Sequence, residues 1–179
     1  ATEAWAQTIV KCDIEAAINN RPEDYSGSLG GAITTTDRNG TNVRAGPNKK
    51  FPILKTLKDA DGFRFHITGM SGAWARVDFV YEVRNQQENH QGEKPLNGWV
   101  YAPSLFLKAE PADSQDVPKA VRNLYAQPDM KSRLMLTKKE QKDFHVVSLQ
   151  GCKGQWAKVF YRGKVGWLNP FTQCADLCT

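Results

Sequence analysis

The sequence predicts an all-β fold made of two small barrels in tandem, and three observations carry the prediction. One pattern is written twice: the stretch from Gly69 to Val77 and the stretch from Gly151 to Val159 both read Gly-x-x-Gly-x-Trp-Ala-basic-Val. Two further landmarks bracket each copy in the same order, so the likeness is an internal repeat. Asn42-Val43-Arg44-Ala45-Gly46-Pro47 and Asn123-Leu124-Tyr125-Ala126-Gln127-Pro128 precede the pattern, and Gly98-Trp99-Val100 and Gly166-Trp167-Leu168 follow it. Finally, short runs of alternating apolar and polar residues are cut by Gly, Pro and Asn with little helical periodicity, as in small all-β domains.

The spacing of the landmarks locates a length difference. Asn42 and Asn123 lie 81 positions apart and Trp74 and Trp156 lie 82 apart, but Trp99 and Trp167 only 68. The first unit therefore carries 14 extra residues between its Trp landmarks, assigned by sequence to the polar stretch 79–97.

Taken in order, residues 1–29 form an extension outside the repeat. Residues 7–12 read as a strand, and 13–19 as a short helix capped by Asp13 and ended at Arg21-Pro22. Residues 26–31 form a flexible joint. The first unit, 30–108, opens with a β-branched strand at 32–36 and a turn at Asn39-Gly40. A short strand follows at 42–44. Phe63, Phe65 and Ile67 alternate with Arg64 and His66 as a half-buried strand. After a glycine turn come the strand 74–80, the insertion, a strand at 98–101 and a one-turn helix near Pro103. Residues 109–118 are polar, bounded by prolines, and read as a linker. The second unit, 119–179, repeats the plan with Leu124, Leu134, Leu136, Val147, Leu149, Trp156, Val159, Val165 and Trp167 as its expected core.

Composition narrows the function classes. Units of this size sit near the lower limit for an independent core and commonly need a staple. Residues 1–118 hold 13 Lys/Arg against 15 Asp/Glu, a net −2; residues 119–179 hold 11 against 4, a net +7. Any anionic partner should meet the second unit first. The chain has no run of 18 apolar residues that would span a membrane. No signal peptide is read at its start, and an opening Ala1 in place of Met fits a processed chain. Four Cys with no Cys-x-x-Cys spacing, and three dispersed His, point to disulfides in an oxidising compartment rather than to zinc. Four Cys allow three pairings. No phosphate-cradling glycine motif is present, and no cofactor, metal or nucleic acid is expected.

The landmarks resemble the bacterial SH3-like domain family, which shows Asn-Val-Arg-Ser-Gly-Pro early, Gly-x-Trp-x-x-Val in the middle and Gly-Trp-Val near the end. Asn42 to Pro47, Gly72 to Val77 and Gly98 to Val100 match it; in the second unit Gly154 to Val159 and Gly166 to Leu168 match, while Tyr125 and Gln127 replace the Arg and Gly. The resemblance covers 32–179. It implies two SH3-like barrels, and extracytoplasmic modules that bind cell-wall peptide, glycan or protein ligands.

Expected site residues follow. Trp74 and Trp156 open alternating strands and belong to the core. Arg44 pairs with a turn carbonyl or a carboxylate. Phenols offer an apolar face and a polar tip, so Tyr81, Tyr101, Tyr125 and Tyr161 can line a groove. They join Trp99 and Trp167 at strand starts, and Arg84 and His90 in the insertion, as the expected ligand-binding set. Cys152 takes the turn position of Met70 and Cys174 follows the last strand, giving the expected bridges Cys152–Cys174 and Cys12–Cys178. A catalytic reading would need His145 to activate Cys152, and the even Cys count favours the disulfide. The sequence thus reads as a non-catalytic periplasmic or extracellular protein recognising peptidoglycan peptide or an envelope protein. The alternative is an inhibitor or immunity protein that blocks a secreted hydrolase, with the insertion as the loop that enters its cleft.

Overall fold

The computed structural model describes residues 8–18, 40–57, 63–82, 97–109, 122–142, 144 and 146–174. The described chain is mostly β. Its strands are β1 (Val10–Ile18), β2 (Thr41–Arg44), β3 (Ile53–Leu57), β4 (Phe63–Ser71), β5 (Trp74–Glu82), β6 (Gly98–Tyr101), β7 (Phe106–Ala109), β8 (Val146–Lys153), β9 (Trp156–Tyr161), β10 (Lys164–Leu168) and β11 (Gln173–Cys174). Short 3-10 helices occupy Ala102–Ser104 and Pro170–Thr172, and α1 spans Lys138–Lys142. The strands join in one open ladder, β10-β9-β8-β7-β1-β4-β5-β6-β2-β3, with β11 added on β7.

The repeat seen in the sequence reappears in the backbone bonds. The Ala45 N–H donates to the Pro52 carbonyl at 3.0 Å, and 81 positions on the Ala126 N–H donates to the Arg133 carbonyl at 2.9 Å. The Lys50 N–H is held by Asn48 Oδ1 at 2.8 Å and the Lys131 N–H by Asp129 Oδ1 at 2.9 Å, the same Asx turn twice. Gly72 and Gly154 both take positive φ, 55° and 56°, in the hairpin turns after β4 and β8. The glycine of each Gly-Trp landmark answers a different need. A Cβ on Gly98 would lie 2.6 Å from Val43, and one on Gly166 would lie 3.0 Å from Leu124. The strand could not approach so closely with a side chain there.

Strand pairing shows how the units share a strand. In the first, β4 pairs β5, β5 pairs β6, and β1 pairs both β4 and β7. In the second, β8 pairs β9, β9 pairs β10, and β7 pairs both β8 and β11. Thus β7 stands to the second unit as β1 stands to the first. The core runs through both. Val43, Phe65, Ile67, Val77, Leu107, Leu124, Phe144, Val147, Leu149, Val159 and Leu168 are all buried in one cluster.

Several expectations are corrected. Of the expected helix 13–19, residues 13–18 are strand instead: β1 runs through Ile18, because each residue from Ile14 to Ile18 pairs with β4 and Ile14 is buried. Sheet pairing overrides a weak local helix preference. Leu134 and Val165 are 42% and 46% exposed rather than core, and Trp74, Trp156 and Trp167 are half-buried. α1 was not expected, although Thr137-x-x-Glu140 is a capping box. The Thr137 N–H donates to Glu140 Oε2 at 2.8 Å and the Glu140 N–H to Thr137 Oγ1 at 3.3 Å. Lys164 Nζ adds an ion pair at 2.7 Å. It is the first cause holding the Glu140 carboxyl down at about 2, with the Thr137 bonds second. The expected strand at 32–36 lies outside the described residues; of the expected linker 109–118 only Ala109 is described, and it ends β7.

The disulfide pairing is also corrected: Cys12 bonds Cys152, with Cα atoms 5.8 Å apart. Register explains why Cys174 is not the partner of Cys152. Cys174 pairs with Lys108, which pairs with Val146. Cys152 lies six residues further along β8, about 20 Å by strand rise, beyond disulfide reach. The described chain brings Cys12 there because β1 docks on the β8–β9 turn. The Asp13 N–H donates to the Gly154 carbonyl at 2.9 Å and the Gly154 N–H to the Lys11 carbonyl at 3.2 Å. The Cys174 side chain and Cys178 lie outside the described side chains.

Two outcomes follow. Replacing Cys12 and Cys152 together by Ser should lower stability by about 2–5 kcal/mol, read as the loss of urea midpoint at constant slope. A fragment beginning at residue 119 lacks β7, and with it the partner of both β8 and β11. It should show no cooperative thermal transition, whereas a fragment beginning at 103 should recover one.

Candidate functional site

The site is built on a pair of irregularities in the β4–β5 hairpin. His66 pairs with Phe79 and Ile67 with Val77, so Asp78 is an extra residue bulged out of β5; Ile67 pairs with Val77 and Gly69 with Arg76, so Thr68 is bulged out of β4. Bulges re-aim side chains and recur beside functional sites. Here they set Thr68, Arg76 and Asp78 around an open cleft of about 420 Å³, completed by Ala45, Val77, Asn97, Gly98 and Trp99. That volume suits a small ligand or a short peptide segment.

Comparison of the units shows that Asp78 is particular to the first. The Thr68 bulge has a counterpart, since Leu149 pairs with Val159 and Gly151 with Lys158, leaving Gln150 unpaired. The Asp78 bulge has none: Ser148 pairs with Phe160 directly after Leu149 pairs with Val159. One residue of the first unit's surplus therefore sits at Asp78, before the stretch 79–97 to which the sequence assigned all of it.

The electrostatics centre on His66. Its Nδ1 lies 2.8 Å from Asp78 Oδ1 and its Nε2 lies 3.0 Å from Asp13 Oδ1. Ionised carboxylates only accept, so both ring nitrogens must donate and the ring is an imidazolium in this arrangement. The Asp13 hydrogen bond raises the His66 pKa, partial burial opposes it, and the Asp78 bond raises it further. Asp13 is lowered in turn, first by His66 and then by a bond from Gln155. The three groups tie β1, β4 and β5 together at one corner of the cleft. Arg76 lies beside them, donating through Nε to Thr68 Oγ1 at 3.0 Å. Among the described residues no cluster of metal-ligating side chains could hold a metal ion.

The expected ligand set divides. Trp99 lines the cleft and is the cross-strand partner of Arg76. Tyr101 is exposed and meets Trp74 edge to face, with ring centres 5.7 Å apart. Tyr125 and Tyr161 are core residues, 2% and 4% exposed; Tyr125 packs on Trp156 at 5.5 Å and Tyr161 on Phe144 at 4.8 Å. Burial pushes the Tyr125 phenol up, and the nearby Asn169 side chain opposes this. Trp167 is bonded through its backbone to Tyr125 in both directions at 2.8 Å, and Lys158 Nζ stands 5.9 Å from its ring centre. The side chain of Tyr81, and all of Arg84, His90 and His145, lie outside what is described. Arg44 donates to its own loop's carbonyls, Lys49 at 3.0 Å and Phe51 at 2.8 Å, a structural task. The sequence reading missed Asp13, His66, Thr68 and Asp78. The only sequence signal for Asp78 was Val77-Asp78-Phe79 against Val159-Phe160.

No family model matches the chain, and no curated protein matches it. Among solved structures it is similar to the structure of NlpC2 from Trichomonas vaginalis, at 13% identity and a TM-score of 0.27, over 93% of this chain and 48% of that one. The chain spans about half the length of that protein.

The His66 cluster makes stability depend on pH. His66 is raised in the fold, so its contribution is fully present below the ordinary value of 6.5 and is lost as pH rises through the raised value. Asp13 is lowered, so its contribution is present above 3.8 and lost as pH falls through the lowered value. The pair should therefore stabilise most between these limits. All three groups are well exposed to solvent, so the effect should be small. Urea midpoints at pH 5.5 and pH 8.5 should differ more in the native chain than in the His66→Gln variant; equal differences would remove the cluster from the account.

Proposed function

We propose that the chain is a non-catalytic, extracytoplasmic binding protein whose two SH3-like units recognise cell-wall peptide, with the first unit's cleft as the contact surface. The observation that carries this reading is the cleft itself. A guanidinium, a carboxylate, a hydroxyl and an amide edge line it beside a Trp, the mixture that suits a peptide with both charged and apolar groups. The two ends of the polar insertion, at Asp78 and Asn97, stand on its rim. The SH3-like reading is supported by three sequence landmarks that fall on a bonding pattern repeated in both units. Cys12–Cys152 supports an oxidising compartment, and the same bond leaves Cys152 without the thiol that a Cys nucleophile requires. Among the described residues no helix is long and apolar enough to cross a membrane.

Retention on purified sacculi tests the reading. The native chain should co-sediment with sacculi and be released by soluble muropeptides, and Arg76→Gln should lower the bound fraction several-fold. A native chain that stays in the supernatant at all protein concentrations overturns the proposal.

A further inference from the structure

The first unit's cleft contains a cation that the described residues leave unneutralised. Arg76 is half-buried, its Nε is engaged by Thr68, and among the described residues it makes no ion pair. A carboxylate stands two residues along on the same strand face, about 7 Å away by strand geometry. That carboxylate, Asp78, is turned to His66 at 2.8 Å instead. His66 is fixed from its other side by Asp13, on a strand that a disulfide and two backbone bonds tie to the second unit. A planar guanidinium in a partly dry site ordinarily pairs with a carboxylate through two parallel hydrogen bonds. Here the nearby carboxylate is withdrawn, and among the described residues the two terminal nitrogens of Arg76 have no protein partner in a cleft that the residue lines.

We propose that Arg76 is the receptor for a free carboxylate on the ligand, so that the cleft takes a peptide by its C-terminal end rather than an internal segment. The inference rests on the cleft being the contact surface named above. Trp99, paired with Arg76 across β5 and β6, walls the side chain of the terminal residue, and Thr68 and Asn97 offer polar groups to its amide. Asp78 at the rim disfavours a doubly charged phosphate but tolerates a singly charged carboxylate next to Arg76. Among the described residues the second unit has no equivalent. Its cation is Lys158, set over Trp167, with Gln150 in place of Thr68 and no bulged carboxylate.

Titration of the full chain with N-acetyl-alanyl-alanine and with its C-terminal amide, followed by NMR at the Trp99 indole, tests this. The acid should bind about tenfold more tightly than the amide, as expected for a charge-assisted bond, and Arg76→Gln should erase the preference. In His66→Ala, Asp78 is released to pair with Arg76, so affinity for the acid should fall; His66→Ala combined with Asp78→Asn should restore it. A merely structural His66 would give no such rescue. Equal affinity of the native chain for acid and amide, or a preference that survives Arg76→Gln, overturns the inference, even if sacculi still retain the protein. An Arg76-dependent preference without retention on sacculi upholds the carboxylate site and removes the cell wall as its source.

Discussion

The position of β1 constrains most of the described structure. It pairs with β4 along nearly its whole length and touches β7 at Ala17. At Cys12 and Asp13 it is fastened to the β8–β9 turn by a disulfide and two backbone hydrogen bonds. Each attachment alone is modest. A two-strand pairing is marginal in water, and backbone bonds contribute about 1 kcal/mol net apiece. Acting on one nine-residue segment, they hold the first unit's sheet and the second unit's turn to the same strand.

Sharing β7 adds a second constraint. A repeat of about 80 residues would ordinarily give two units that fold separately, but here the strand that ends one begins the next. The second unit then needs no strand of its own before Asn123. Economy of this kind matters because small domains bury too little apolar surface to be stable with an open edge. Cys12–Cys152 closes a span of 140 residues that contains β7, which makes the shared strand part of one covalently closed body.

Much of this was legible in the residues. The landmarks fix the glycine turns, the Gly-Trp strands and the alternating cores of β4 and β9, because each depends on local chemistry that sequence displays. Illegible parts depend on what lies across the sheet. The segment 13–19 has helix formers and an Asp cap, but its neighbour Ile67 decides its conformation. Cys174 looks close to Cys152 in a linear plan and is about 20 Å of strand away in register. Leu134 and Val165 alternate as core residues should, yet sit on the outward face of short loop and edge segments. The site was harder still. Arg76 was visible only as the basic position of a repeated motif. Asp78 became visible as a bulge only once pairing showed two residues of β5 opposite one step of β4.

These constraints meet at the cleft. Asp78 touches His66, His66 touches Asp13, Asp13 is bonded to Gly154, and the preceding residue is covalently joined to Cys152. The cleft is thus connected to the β8–β9 turn by direct contacts through four neighbouring positions. Each link is short but solvent-exposed, so it acts by fixing geometry more than by adding stability. The disulfide gives the chain of contacts a fixed end. Without it Asp13 would be held to the β8–β9 turn by backbone bonds alone, and its carboxylate would be less firmly placed against His66. One corner of the cleft is therefore braced by a covalent bond made outside it.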